Sequence, residues 1–298
     1  MPAPEVTIVI TTRDRPELLA EALDSALDQT VHAVEVVVVD DGSAEPVRPH
    51  RADDRLRVLR NERPGGVCAA RNRGLAAARG RFVSFLDDDD RLLPHMVEAS
   101  LAAAAASTLP PPVAVLSGME EIDEQGRPTG TLLAAASLPR AGAGGAAAAA
   151  LGAPPTHASL VVPTEVARAI GGFDERLPAF EHTDLFLRLH AACSVQGVEQ
   201  IAYCRRIHRS ARLSRDLPAR VEGIQRTLAI HRDAFARHPA RHAHYLGAVA
   251  IGLLRLGRWG PAVTVSTAAL RLAPWRPKGV AGWLASLAGP RVFALIDR

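Results

Sequence analysis

Four aspartates in a row, Asp87 to Asp90, stand directly behind the apolar run RFVSFL. Neighbouring carboxylates repel one another, and at the end of a buried strand they are costly unless something positive meets them. A helix start uses one or two of them, with Asp89 or Asp90 capping the segment RLLPHMVEA. The others ask for a divalent cation, because hard ions such as Mg2+ and Mn2+ prefer carboxylate oxygens and also grip phosphates. An Asp-x-Asp pair, Asp87 and Asp89, on a tight turn would serve as its ligands. A second acidic element, Asp40 and Asp41 in VVVVDDGS, has two readings. One is an ordinary Asp-Gly turn closing a strand; the other is a pair of acceptors for a base N–H or a ribose hydroxyl.

These acids need a scaffold, and the pattern around them supplies one. Val6 to Ile10 and EVVVVD are short β-branched apolar runs, as in strands covered on both faces. LRVLRN and RFVSFL read as two more strands. Between them lie helical patterns, ELLAEALDSAL behind a proline and VCAARNRGLAAARG behind two glycines. Strands alternating with helices predict an α/β fold with a mostly parallel sheet, whose ligands sit beyond the C-terminal strand ends. Thr11, Asp40, Asp41 and Asp87 to Asp90 all fall at such ends. Farther on, a helix is expected after Pro94, then the strand VAVLSGMEEID, the low-complexity segment 141–150, the strand around LVVP, the helix EHTDLFLRLHAAC and the strand VEQIAYCRRIHRS. Beyond Leu217 the pattern is helical throughout.

Composition narrows the function classes. The chain has 298 residues, 48% of them hydrophobic, which excludes a disordered protein. The basic residues are 34 Arg and one Lys, a bias that by itself is no nucleic-acid signature. Charge is uneven: from Asp216 onward there are 12 basic and 4 acidic residues. Cys68, Cys193 and Cys204 have neither zinc spacing nor a C-x-x-C pairing and suit a reducing compartment. The N-terminal stretch reads as a strand and not a signal peptide, and no run reaches the roughly 20 apolar residues of a membrane span. A cytoplasmic protein is expected. No G-x-G-x-x-G follows the first strand, and neither G-x-x-x-x-G-K-[ST] nor H-E-x-x-H occurs, which argues against a dinucleotide dehydrogenase, a P-loop enzyme and a zinc protease.

The ordered series VTIVITTRDRPELLAEALDSALDQT, EVVVVDDGS, GGVCAARNRGLAAARGRFVSFLDDDDRLLP and GGFDERL followed by EHTDLFLRL resembles the inverting family 2 glycosyltransferases of the GT-A fold, over roughly residues 5 to 210. The resemblance implies a Rossmann-like, mostly parallel sheet flanked by helices, with a C-terminal helical extension. It implies a nucleotide-sugar donor, with a UDP-sugar favoured, held by Thr11, Arg13, Asp40, Asp41, Arg71, Asp87 and Asp88. It implies Mg2+ or Mn2+ on a DXD element, Asp87 and Asp89, with His208 near the diphosphate as a further metal candidate. Residues 1–110 would form the nucleotide-sugar half, 111–215 the acceptor half and 216–298 a helical region.

The chain departs from the family at the catalytic base. The family usually carries Glu-Asp at the start of the acceptor-side helix, whereas here Glu181 is followed by His182. A neutral imidazole is a competent general base; Glu181 and Asp184 are the other candidates, and a weakened, non-catalytic binder is a further reading. His157 lines the acceptor cleft or is a plain core histidine. The acceptor is expected to be a hydroxyl on a glycan, a lipid-linked sugar or a small molecule. Nucleic acid is not expected, since aromatic residues are few and not interleaved with arginine. The basic tail reads as domain packing, with Trp259, Trp275 and Trp283 as core anchors, or as peripheral contact with an anionic membrane face. A sugar-nucleotide nucleotidyltransferase is the rival enzyme, although TTRDRPE is not the glycine-rich loop such enzymes usually carry.

Overall fold

A computed structural model describes residues 3–133, 137–140, 159–207 and 216–289. It divides into two compact units, one of Met1–Glu175 with His182–Arg209, the other of Arg176–Glu181 with Ser210–Arg298. Segment 141–150, His157 and His208 lie outside the described residues.

The first unit is built on a nine-stranded mixed sheet. Its strands are β1 (Val6–Thr12), β2 (Val34–Asp40), β3 (Leu56–Arg60), β4 (Phe82–Asp87), β5 (Arg91–Leu92), β6 (Val113–Ile122), β7 (Pro128–Leu133), β8 (Leu160–Pro163) and β9 (Ser194–Arg206). The order is β3-β2-β1-β4-β8-β6-β9-β5, with β7 on β6. β1 to β4 run parallel, as the alternating pattern predicts, and β8 joins β4 antiparallel. Every residue of β1 and β2 is buried, because both faces are covered. Ile8 and Ile10 point into a cluster with Leu19, Ala22 and Leu23 of α1 (Pro16–Leu27). Val9 faces the other way, onto Gly74 of α2 (Val67–Ala77), where an added Cβ would sit 2.2 Å from a Val9 methyl.

Gly80, just before β4, marks the closest backbone approach. A Cβ there would lie 2.5 Å from the Thr7 nitrogen and 2.7 Å from the Val6 carbonyl carbon, both main-chain atoms that have little room to yield. Its N–H donates to Thr7 Oγ1, which in turn donates to the buried Glu35. Gly80→Ala is therefore expected to destabilise the unit by about 1–3 kcal/mol or more through overpacking, read as a lower urea midpoint at unchanged slope.

The aspartate run closes β4 differently from a helix cap. Asp88 and Asp89 form a turn, and Arg91–Leu92 then pairs antiparallel with β9, Arg91 opposite Cys204 and Leu92 opposite Tyr203. Helix α3 (Met96–Ala106) begins only after His95, which gives no side-chain cap. Neither Asp89 nor Asp90 caps it; sheet pairing draws the chain across to β9 first. Among the described residues this unit also has α4 (Thr164–Ala169) and α5 (Glu181–Ala192), which starts at the unit's edge.

The second unit contains α6 (Leu217–Ile230), α7 (Arg232–Ala236), α8 (Pro239–Arg255), α9 (Trp259–Leu272) and α10 (Pro277–Ala288). Asp216 caps α6 by accepting from the Ala219 N–H at 3.0 Å. Phe235 is fully buried and meets Tyr245 edge-on at 5.2 Å. The tryptophans do not anchor this core as expected: Trp275 is 69% exposed and Trp259 and Trp283 are only half-buried.

Candidate active site

The C-terminal ends of β1, β2 and β4 meet at one sheet edge, since Thr12 pairs with Asp40 and Thr11 with Asp87 in the strand register. Thr11 is buried between Val39 and Asp87. Arg13, one residue past the strand, is exposed and pairs with Asp14 at 3.5 Å.

The DDGS acids are tied to the protein's own loops. Asp40 accepts from the Ser43 N–H at 2.8 Å, the Val47 N–H at 3.2 Å and Arg60 Nη1 at 2.6 Å. Burial alone would raise its pKa, but the Ser43 and Val47 bonds and the Arg60 charge outweigh that and hold it below the usual carboxylate value. Asp41 accepts from the Asn61 side chain at 2.6 Å and from the Gly65 and Gly66 N–H groups, each at 2.8 Å, directly before α2. Both carboxylates thus fix the loops that wall the strand edge.

The four aspartates separate into distinct roles. Asp88 accepts from Thr12 Oγ1 at 2.7 Å and from Arg15 Nη1 at 3.2 Å. Burial still pushes its carboxyl up to about 6, with Asp89 and Asp87 adding to the effect and Thr12 and Arg15 opposing it. The other three converge: one carboxylate oxygen each from Asp87, Asp89 and Asp90 lie within 4.8 Å of one another. Asp87 is held by Arg71 Nη2 at 2.6 Å, and Asp89 reaches Arg15 at 3.4 Å. Asp90 is buried, accepting from the Tyr203 hydroxyl at 2.7 Å and the Arg206 N–H at 2.8 Å. Burial, then the charges of Asp87 and Asp89, push its carboxyl up to about 8. Three crowded carboxylate oxygens, one disfavoured in its charged form, fit a hard divalent cation, which takes such ligands and relieves their repulsion.

Asp90 was not among the sequence candidates for the cation, and no local signal separates it from Asp88. Tyr203 and Arg206 were missed for the same reason: they come from β9, more than a hundred residues away. Arg206 is buried, donates to the Asp89 carbonyl at 3.0 Å and pairs with Glu21.

Arg71 also links the acids to the other candidates. Its guanidinium stacks 5.0 Å from the centre of Phe173, whose ring meets Phe85 edge-on at 4.9 Å and His182 edge-on at 5.6 Å. Phe173 follows two glycines with positive φ, 81° at Gly171 and 64° at Gly172, a conformation that favours glycine and turns the chain sharply. His182 and Glu181 are half-buried on the first turn of α5. Asp184 is fully buried and accepts twice from Arg188, at 2.9 and 2.5 Å. Arg188 also donates to the Ile170 carbonyl at 2.7 Å, so this pair braces α5 against the turn before Phe173.

Comparison with known proteins agrees with this geometry. Residues 7–115 match the family described as glycosyl transferase family 2. Over 94 residues the chain is 42% identical to the succinoglycan biosynthesis protein ExoO of Rhizobium meliloti, covering 30% of this chain and 27% of that protein. Over 96 residues it is 34% identical to a GalNAc(5)-diNAcBac-PP-undecaprenol beta-1,3-glucosyltransferase of Campylobacter jejuni, covering 30% and 31%. The matched stretch thus spans about a third of the length of these curated relatives or less. The crystal structure of S. aureus TarS 1-349 in complex with UDP-GlcNAc superposes with a TM-score of 0.62 at 16% identity, covering 98% of this chain and 92% of that one. The fold is that of the GT-A glycosyltransferases.

Proposed function

We propose that this chain, a family 2 glycosyltransferase by its residues 7–115, moves a sugar from a nucleoside diphosphate sugar to an acceptor hydroxyl with inversion at the anomeric carbon. The observation that carries the reading is the convergence of Asp87, Asp89 and Asp90 at the strand edge, with Arg71 and Phe173 leading from it to His182. A UDP-sugar is the preferred donor, supported by the UDP-GlcNAc bound to the structurally similar TarS. Polysaccharide or lipid-linked glycan synthesis is the favoured setting, supported by the names of the two relatives. The protein would work on the cytoplasmic side; its three buried cysteines, without zinc or C-x-x-C spacing, fit a reducing compartment.

Each residue has a task in this reading. Thr11, near the end of β1, and Arg13, one residue past it, would meet the nucleotide beside the loops braced by Asp40 and Asp41. Asp87, Asp89 and Asp90 would hold Mg2+ or Mn2+, which when bound supplies Lewis-acid neutralisation of the departing diphosphate. Arg71 fixes the Asp87 carboxylate, and Thr12 with Arg15 fixes Asp88. His182 accepts the acceptor's hydroxyl proton on a ring nitrogen. The freed oxygen then attacks the anomeric carbon as its bond to the diphosphate oxygen breaks. Asp184, enclosed by Arg188, is assigned to structure, and Glu181 remains as the flanking acid.

A thermal-shift panel tests the donor side. Ligands that bind only the folded state raise its stability, by about 2.7 kcal/mol at a hundredfold excess over Kd. UDP and a UDP-sugar are expected to raise Tm in the presence of Mn2+ and to do so less without it. No response to any nucleotide diphosphate would overturn the proposal.

A further inference from the structure

Among the described residues, the last helix, α10, is packed on one side. Ser286 Oγ meets Ser266 Oγ of α9 at 2.9 Å, Trp283 donates its ring N–H to Thr267 at 3.0 Å, and Ala285 is buried. On the opposite side Leu284 and Leu287 are each 53% exposed, and Trp275, two residues before the helix, is 69% exposed. Positions 277, 281, 284 and 288 recur at helical spacing on this outer face, and Lys278 stands exposed at its edge. Large exposed apolar residues gathered on one short helix mark an interaction surface.

Charge identifies the occupant. From Pro239 to Gly289 the sequence contains Arg241, Arg255, Arg258, Arg271, Arg276 and Lys278 and no acidic residue. A second copy of the chain, meeting this face across a two-fold axis, would bring like charges together. An anionic lipid surface complements the charge and takes up the leucine and tryptophan side chains at the headgroup boundary. α10 has 12 residues, and no helix among the described residues is long and apolar enough to cross a membrane. It would therefore lie on the surface.

We propose that the outer face of α10, with Trp275, Lys278 and the basic surplus of this unit, docks the protein on an anionic phospholipid bilayer. The inference stands on the C-terminal unit alone and holds whatever sugar the chain transfers. Its test is co-sedimentation of the full chain with vesicles of equal phosphatidylglycerol and phosphatidylcholine, without donor or acceptor, against pure phosphatidylcholine vesicles. Binding is expected on the anionic vesicles alone and should weaken steeply between about 0.1 and 1 M NaCl, as the screening length falls from about 10 to 3 Å. Removing one basic charge, as in Lys278→Gln, should weaken it about fivefold. The triple variant Trp275→Ser, Leu284→Ser, Leu287→Ser should weaken it more than tenfold, with an unchanged melting curve because these side chains are exposed. Equal affinity for both vesicle types, or a triple variant that binds like the parent, would overturn the proposal. So would an oligomer that the triple variant converts to a monomer, which would assign the face to a second copy.

Discussion

Asp89→Asn is expected to lower sugar transfer by roughly 10^2- to 10^4-fold while leaving the fold intact. The Asp89 oxygen is one of three carboxylate atoms within 4.8 Å at the end of β4. A Lewis acid held there would supply several kcal/mol of stabilisation to a departing diphosphate, and each 1.36 kcal/mol is about a tenfold change in rate. The substitution keeps the side-chain volume and removes one anionic ligand. Its effect on stability should be small, because the pair with the half-exposed Arg15 is long, at 3.4 Å, and the like-charge repulsion on Asp90 is relieved. The check combines turnover with the Mn2+-induced rise in Tm, which should vanish together with activity. Full activity and an unchanged Mn2+ response would show that these acids hold no ion.

The second large effect belongs to His182. His182→Ala is expected to reduce kcat by about 10^2- to 10^4-fold, the usual contribution of a positioned general base, with the nucleotide-induced thermal shift unaltered. The two readouts separate because a general base acts on the acceptor hydroxyl and not on the nucleotide. The ring stands edge-on to Phe173 at 5.6 Å, whereas the guanidinium that holds Asp87 lies on the same phenyl ring at 5.0 Å. Phe173 thus stands against both the histidine ring and the guanidinium that holds Asp87. A slow turnover identical in parent and variant would leave His182 without a catalytic role and favour a sugar-nucleotide binder. Asp184, fully buried and twice bonded by Arg188, is the less favoured base.

Much of the fold was legible because its signals are local. β1 and β2 are uninterrupted β-branched runs, and they lie where the pattern places them, buried throughout. The glycine pair before Phe173 and the proline at the start of α1 mark their turns directly. The short strand β5 was not legible. Arg91 and Leu92 have no strand pattern of their own, and the same letters suit a helix start. Only the presence of β9, with Cys204 and Tyr203 opposite, decides their conformation. The tryptophans failed similarly: a large apolar residue is a core candidate in any sequence, and whether it is covered depends on what the neighbouring helices leave open.

The amino-acid order by itself determined that an acid-rich edge exists, and that Thr11, Asp40 and the aspartate run reach it from three parallel strands. It did so because strand periodicity and strand-end position are properties of contiguous residues. Which three of the four aspartates converge was decided by the tertiary structure alone. Thr12 draws Asp88 aside, while Tyr203 and Arg206 hold Asp90 beside Asp87 and Asp89. Those partners come from separate segments of the chain, and the direction of a carboxylate in a turn follows the donors that packing brings to it, which no spacing within the run encodes.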